Sequence, residues 1–274
     1  MSTWGTEDET AFLYGVIQTS DSIDLGGDIS YLSLSQKDYE HSFFMQREGS
    51  IALNWQRKYF LLGSFGLYGE KEKPESREYL IQAEILPFLH VRAGRFYPAF
   101  GIMSNEHKYF FRAKHWNQGR ETLNAEAVYR SENFEISAAK IFGHPDDFEN
   151  GYLKGKEGWA SRVNYFPDKT GSVGVSYAFF LDQYYNTEHI AALHGMYAFN
   201  QFIWIESQIG NEDFYGRIGI EPYKGFSVKP TLEYEYKSRL YNSELVFQWL
   251  PRPHFDFQLT CSKTTWALLL HYYL

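Results

Sequence analysis

The feature that most constrains this chain is a recurring stretch of about ten residues in which apolar and polar side chains alternate. In 226–237, FSVKPTLEYEYK, one parity holds Val228, Pro230, Leu232, Tyr234 and Tyr236. The other holds Ser227, Lys229, Thr231, Glu233, Glu235 and Lys237. Successive side chains of a strand lie on opposite faces, so each such stretch is a two-faced ribbon. Helical periodicity is nearly absent. The pattern predicts strands near 10–19, 49–57, 59–68, 77–86, 88–97, 121–130, 133–142, 157–166, 172–181, 189–199, 201–210, 214–222, 225–237, 240–250, 253–262 and 265–274.

The connections sort into two kinds. QRKY (56–59), LPF (86–88), RSEN (130–133), FPDKTGS (166–172), FNQF (199–202), PYKG (222–225) and LPRP (250–253) are tight turns. They alternate mostly with longer polar spans: GEKEKPESRE (69–78), 98–120, GHPDDFENGYLKGK (143–156) and DQYYNTEH (182–189). Tight turns at one end and longer loops at the other describe an antiparallel meander, the layout of a membrane barrel. Greek-key links crossing between the sheets of a soluble sandwich have no reason to sort this way. Lipid tolerates no free strand edge, so a spanning sheet must close. The expected fold is all-β: one closed, antiparallel, up-and-down transmembrane barrel over 1–274 with about 16 strands, 14 or 18 being the alternatives. Strand assignment in 1–48 is the open point. TAFLYGVIQ (10–18), ISYLSLS (29–35) and HSFFMQ (41–46) each read as a strand, and up–down parity admits one or three before 49–57. One is taken here, leaving the rest as a long first loop or a segment packed in the lumen.

Composition agrees. Aromatic residues are 19% of the chain, which excludes disorder. A net charge of −8 and basic runs no longer than two argue against nucleic-acid binding. No stretch reaches the ~20 apolar residues of a membrane helix. The start, MSTWGTEDET, lacks a basic region followed by an apolar run, so an outer-membrane destination requires a signal peptide that has been removed. Trp55, Tyr59, Tyr129, Tyr165, Phe166, Phe199, Phe202 and Trp249 fall near strand ends, as an interfacial girdle does.

The C-terminal TWALLLHYYL puts Trp266, Leu268, Leu270, Tyr272 and Leu274 on one face. It resembles the insertion signal of Gram-negative outer-membrane barrels, departing from it in ending on Leu rather than Phe. The run RAGRFYPAFGIMSNEHKYFFR (92–112), with Gly94, Arg95, Phe96, Pro98, Phe100, Gly101, His107 and Arg112, is similar to a strand-to-loop pattern of porin-like barrels. The resemblance implies a bacterial outer-membrane location, contact with outer-membrane lipids and lipopolysaccharide, and a homotrimer or a place in a larger envelope complex. In sixteen-stranded porins the third external loop folds into the lumen. By that likeness 98–120 is the constriction loop, with His107, Lys108, Arg112, Lys114, His115 and Arg120 as candidate pore residues.

Parity places Arg92, Arg162, Arg217, Lys229 and Lys237 on the inner wall against Glu84, Glu126, Glu135, Glu206, Glu221, Glu233, Glu235, Glu244 and Asp256, an excess of acids. The basic loop and the acidic wall disagree in sign, leaving selectivity open. No P-loop, G-x-S-x-G, H-E-x-x-H or paired-cysteine pattern is present. His144, Asp146, Asp147 and Glu149 could hold a cation, but a solvated acidic loop is the simpler reading. No cofactor, metal or catalytic residue is expected, and Cys261 reads as a small apolar residue facing lipid. The expected function is passive diffusion of small hydrophilic solutes or ions. A structural or accessory barrel with a plugged lumen is the alternative.

Overall fold

The computed structural model describes residues 22–36, 39–56, 58–68, 74, 76, 78–102, 121–143, 157–168, 170–181, 186–211, 213–237, 239–252, 254–263 and 265–273. Sixteen strands run in chain order: β1 (Ser22–Gln36), β2 (Tyr39–Trp55), β3 (Tyr59–Tyr68), β4 (Tyr79–Leu86), β5 (Leu89–Phe96), β6 (Thr122–Arg130), β7 (Phe134–Ile141), β8 (Glu157–Asp168), β9 (Gly171–Leu181), β10 (Thr187–Asn200), β11 (Ile203–Gly210), β12 (Asp213–Tyr223), β13 (Phe226–Glu235), β14 (Leu240–Trp249), β15 (Phe255–Ser262) and β16 (Thr265–Tyr273). Each pairs antiparallel with its chain neighbours, and β1 closes on β16 through registers such as Leu32↔Leu269, giving one closed barrel.

Most strands keep the two faces their sequence dictates. On β6, Thr122, Asn124, Glu126 and Val128 are buried, while Leu123, Ala125, Ala127 and Tyr129 are exposed. Outward positions elsewhere are mostly Ile, Leu, Val and aromatics, an apolar belt that lipid can solvate without loss. Aromatic pairs mark the turn end of this belt: Trp55 with Tyr59 at 5.5 Å between ring centroids, Phe134 with Tyr165 at 4.9 Å, and Phe255 with Tyr272 at 4.9 Å. Exposed Phe65, Trp159, Tyr241 and Trp266 mark the other end. Trp266 and Leu268 face outward, and by register so do Leu270 and Tyr272; Leu274 lies outside the described residues. Cys261 pairs with outward Trp266 and shares its side of the sheet.

The first two strands correct the expected chain path. Residues 22–36 and 39–55 form a long hairpin, so the span after residue 20 is not a first loop. The expected first strand, 10–19, lies outside the described residues. The count of sixteen stands, but β1 contains ISYLSLS, and HSFFMQ belongs to β2. The physical reason is a bulge. Ser30 pairs with Gln46 and Tyr31 with Phe44, so residue 45 is extra and the inward parity of β2 switches there. An alternation that changes phase in mid-strand reads as two short strands.

Candidate functional site

After Phe96 the chain does not continue up the wall. Residues 98–102 turn inward and lie across the inner faces of β6 to β11. Ala99 N–H donates to Glu126 Oε1 on β6 at 3.3 Å, and Gly101 N–H to Ser176 Oγ on β9 at 2.8 Å. Ile102 N–H donates to Gln208 Oε1 on β11 at 3.0 Å, while Arg162 Nη1 on β8 donates to the Gly101 carbonyl at 3.2 Å. These bonds matter because a backbone leaving a strand inside a closed barrel must find new partners for its polar groups. Gly101 has φ of +58°, a conformation that favours glycine, and a Cβ there would displace the Gln208 amide that anchors the segment.

Packing holds the same segment. Phe100 is buried with Ile141, Ala160, Ala178, Phe180, Ile190 and Ala192, all on inward positions of β7 to β10. Ile141 and Phe180 are 0% exposed. Small inward residues leave room for the crossing chain, where a bare wet wall would carry long polar side chains. Those inward alanines are the sequence signal for docking, together with Ser176 and Gln208, which make two of the anchoring bonds; period-2 alternation alone does not single them out. Two further inward apolar groups, Leu32, Leu34, Ala267 and Leu269, and Phe60, Leu62, Leu80 and Phe96, show that the interior is not uniformly polar.

The charged wall residues are buried too. Arg92 forms an ion pair with Glu126 and lies over the Phe96 ring at 4.3 Å. Arg162 pairs with Glu135 at 2.5 Å, and Arg217 with Glu206 at 3.2 Å, donating also to Thr231 Oγ1 at 3.0 Å. Tyr215 donates to the same Glu206. Lys229, Glu233 and Asp256 are buried on the inner face, and Glu235 is half-buried at the loop end of β13. Asp256 Oδ2 accepts from Gln248 and Gln258, at 3.0 and 2.7 Å, while His271 meets Asp28 at 2.7 Å across the β1–β16 seam. His107, Lys108, Arg112, Lys114, His115 and Arg120 lie outside the described residues, as do His144, Asp146, Asp147 and Glu149. Among the described residues, no three His, Cys, Asp or Glu side chains are placed to hold a metal ion.

No protein-family model and no curated protein matches this chain. Solved structures do. A barrel solved in work on the asymmetric conductivity of engineered proteins superposes with a TM-score of 0.71 at 9% identity, over 92% of this chain and 100% of that one. A multiply substituted variant of Rhodopseudomonas blastica porin gives 0.69 at 8% identity, and another variant of that porin 0.66 at 10%, with the same coverage of both chains. By fold, this chain is a closed barrel of sixteen antiparallel strands, similar to the barrel of porins.

Proposed function

We propose that the protein is a passive diffusion channel of the bacterial outer membrane for small hydrophilic solutes or ions, acting without catalysis. The observation that carries this reading is the inward turn of 98–102, hydrogen-bonded to walls as far round as β11. A loop that starts in the lumen narrows it, and narrowing concentrates the field of nearby charges between low-dielectric walls. Lys108, Arg112, Lys114 and Arg120, with His107 and His115, follow in the same loop and are proposed to contribute to the constriction. The outer face would meet lipid and lipopolysaccharide. The likeness to porins favours a homotrimer as the assembly.

A second reading draws on the buried inward clusters, above all Leu32 and Leu34 with Ala267 and Leu269. Apolar side chains facing inward suit a plugged barrel, a scaffold or accessory subunit of an envelope complex. Conductance in planar bilayers separates the two. The purified, folded barrel is expected to give discrete open-channel steps. A silent membrane at protein concentrations that insert a control porin selects the plugged barrel.

A further inference from the structure

We infer that the channel proposed above prefers small cations, inorganic and organic, and that carboxylates on β12–β15 set this preference. The inference rests on the diffusion-channel reading. In a ring of sixteen strands, β13 stands eight places from β5 in either direction, so the wall facing the root of the inward loop is β13 with its neighbours. That wall carries acids from end to end. Glu235 lies at the loop end of β13, Glu233 and Glu244 lie further in, and Glu221 and Asp256 sit near the turn end. All five are on inward positions, by register and by the burial of the strands around them.

The cations are distributed differently. Arg92, Arg162 and Arg217 each hold a carboxylate of the neighbouring strand, Glu126, Glu135 and Glu206, so these pairs add no net charge to the lumen. On the acidic wall itself, Arg217 is taken up by Glu206, and Lys229 stands within electrostatic reach of both Glu221 and Asp256.

A second observation points to a ligand. Asp256 is 7% exposed and Glu221 2%, and each has one carboxylate oxygen, Oδ1 and Oε2, with no hydrogen-bond partner. The other oxygen of each is held, by Gln248 and Gln258 in one case and by Gly225 N–H in the other. A fixed carboxylate with one oxygen bare is costly to bury unless a cation or its water shell visits it. Several weak sites in series, none closed, are what conduction requires.

The test is the reversal potential of single channels across a KCl gradient. The native protein should favour K⁺ over Cl⁻ several-fold. The combined substitution Glu233→Gln, Glu235→Gln and Glu244→Gln should carry the permeability ratio most of the way to unity at similar open-channel conductance. Asp256→Asn, a milder second variant, should move it the same way by less. An open native channel that favours Cl⁻, or variants whose ratio does not move, overturns the inference and leaves the diffusion channel standing. A silent native barrel overturns both.

Discussion

Two sectors of the inner wall, β6–β11 and β12–β15, are built on opposite plans. From β6 to β11 the wall offers alanines, Phe180, Ile141 and arginines already paired, and residues 98–102 are docked on it. From β12 to β15 the same inward positions carry Glu221, Glu233, Glu244, Asp256, Gln248 and Gln258. One sector is a surface for protein to pack on, with its charges cancelled locally. The other has a charge surplus of one sign. A closed barrel therefore does not have one interior. It has as many as its inward segments create.

Removing a member of a docked pair should have the largest effect. Glu126→Ala strands buried Arg92 and also takes the acceptor of Ala99 N–H, so a loss of about 3–5 kcal/mol in unfolding stability is expected, read from denaturant titrations in lipid vesicles. A change within experimental error would mean that water reaches Arg92 and that this sector is no drier than the other. Next comes the inside–outside contrast on a single strand. Leu232→Arg, on the outward face of β13 between Thr231 and Glu233, should cost about 2–4 kcal/mol if it sits at bilayer mid-depth, and much less if that face meets water. The smallest effect on stability, and the sharpest on permeation, belongs to the loop. Replacing Lys108, Arg112 and Lys114 together with Gln should leave stability nearly unaltered while moving the reversal potential toward cations. An unchanged potential would remove these residues from the pore and leave selectivity to the β12–β15 wall.

Much of this molecule was legible residue by residue. The alternation in 122–130 and 226–235 fixes which side chains share a face, and ring closure keeps those assignments: Glu126, Lys229 and Glu233 are inward, Leu123 and Leu232 outward. The hairpin of β1 and β2 was not legible. The bulge at residue 45 shifts the phase, and Gly26, Gly27 and Gly49 carry no side chain to mark a face. The docking of 98–102 was half legible. Gly101 and Pro98 announce a break in the strand, but not that Ser176 and Gln208, 75 and 106 residues further along, receive it.

The division follows from what each level of structure needs. Sidedness is local: a strand turns alternate residues to opposite sides, and water and lipid sort them, so sequence alone determined the sheet, its two faces and its need to close. Opposition is global. Which wall faces the inward loop, and which arginines are neutralised before any solute arrives, depends on strand number and register summed around the whole ring, and only the closed tertiary structure decided it.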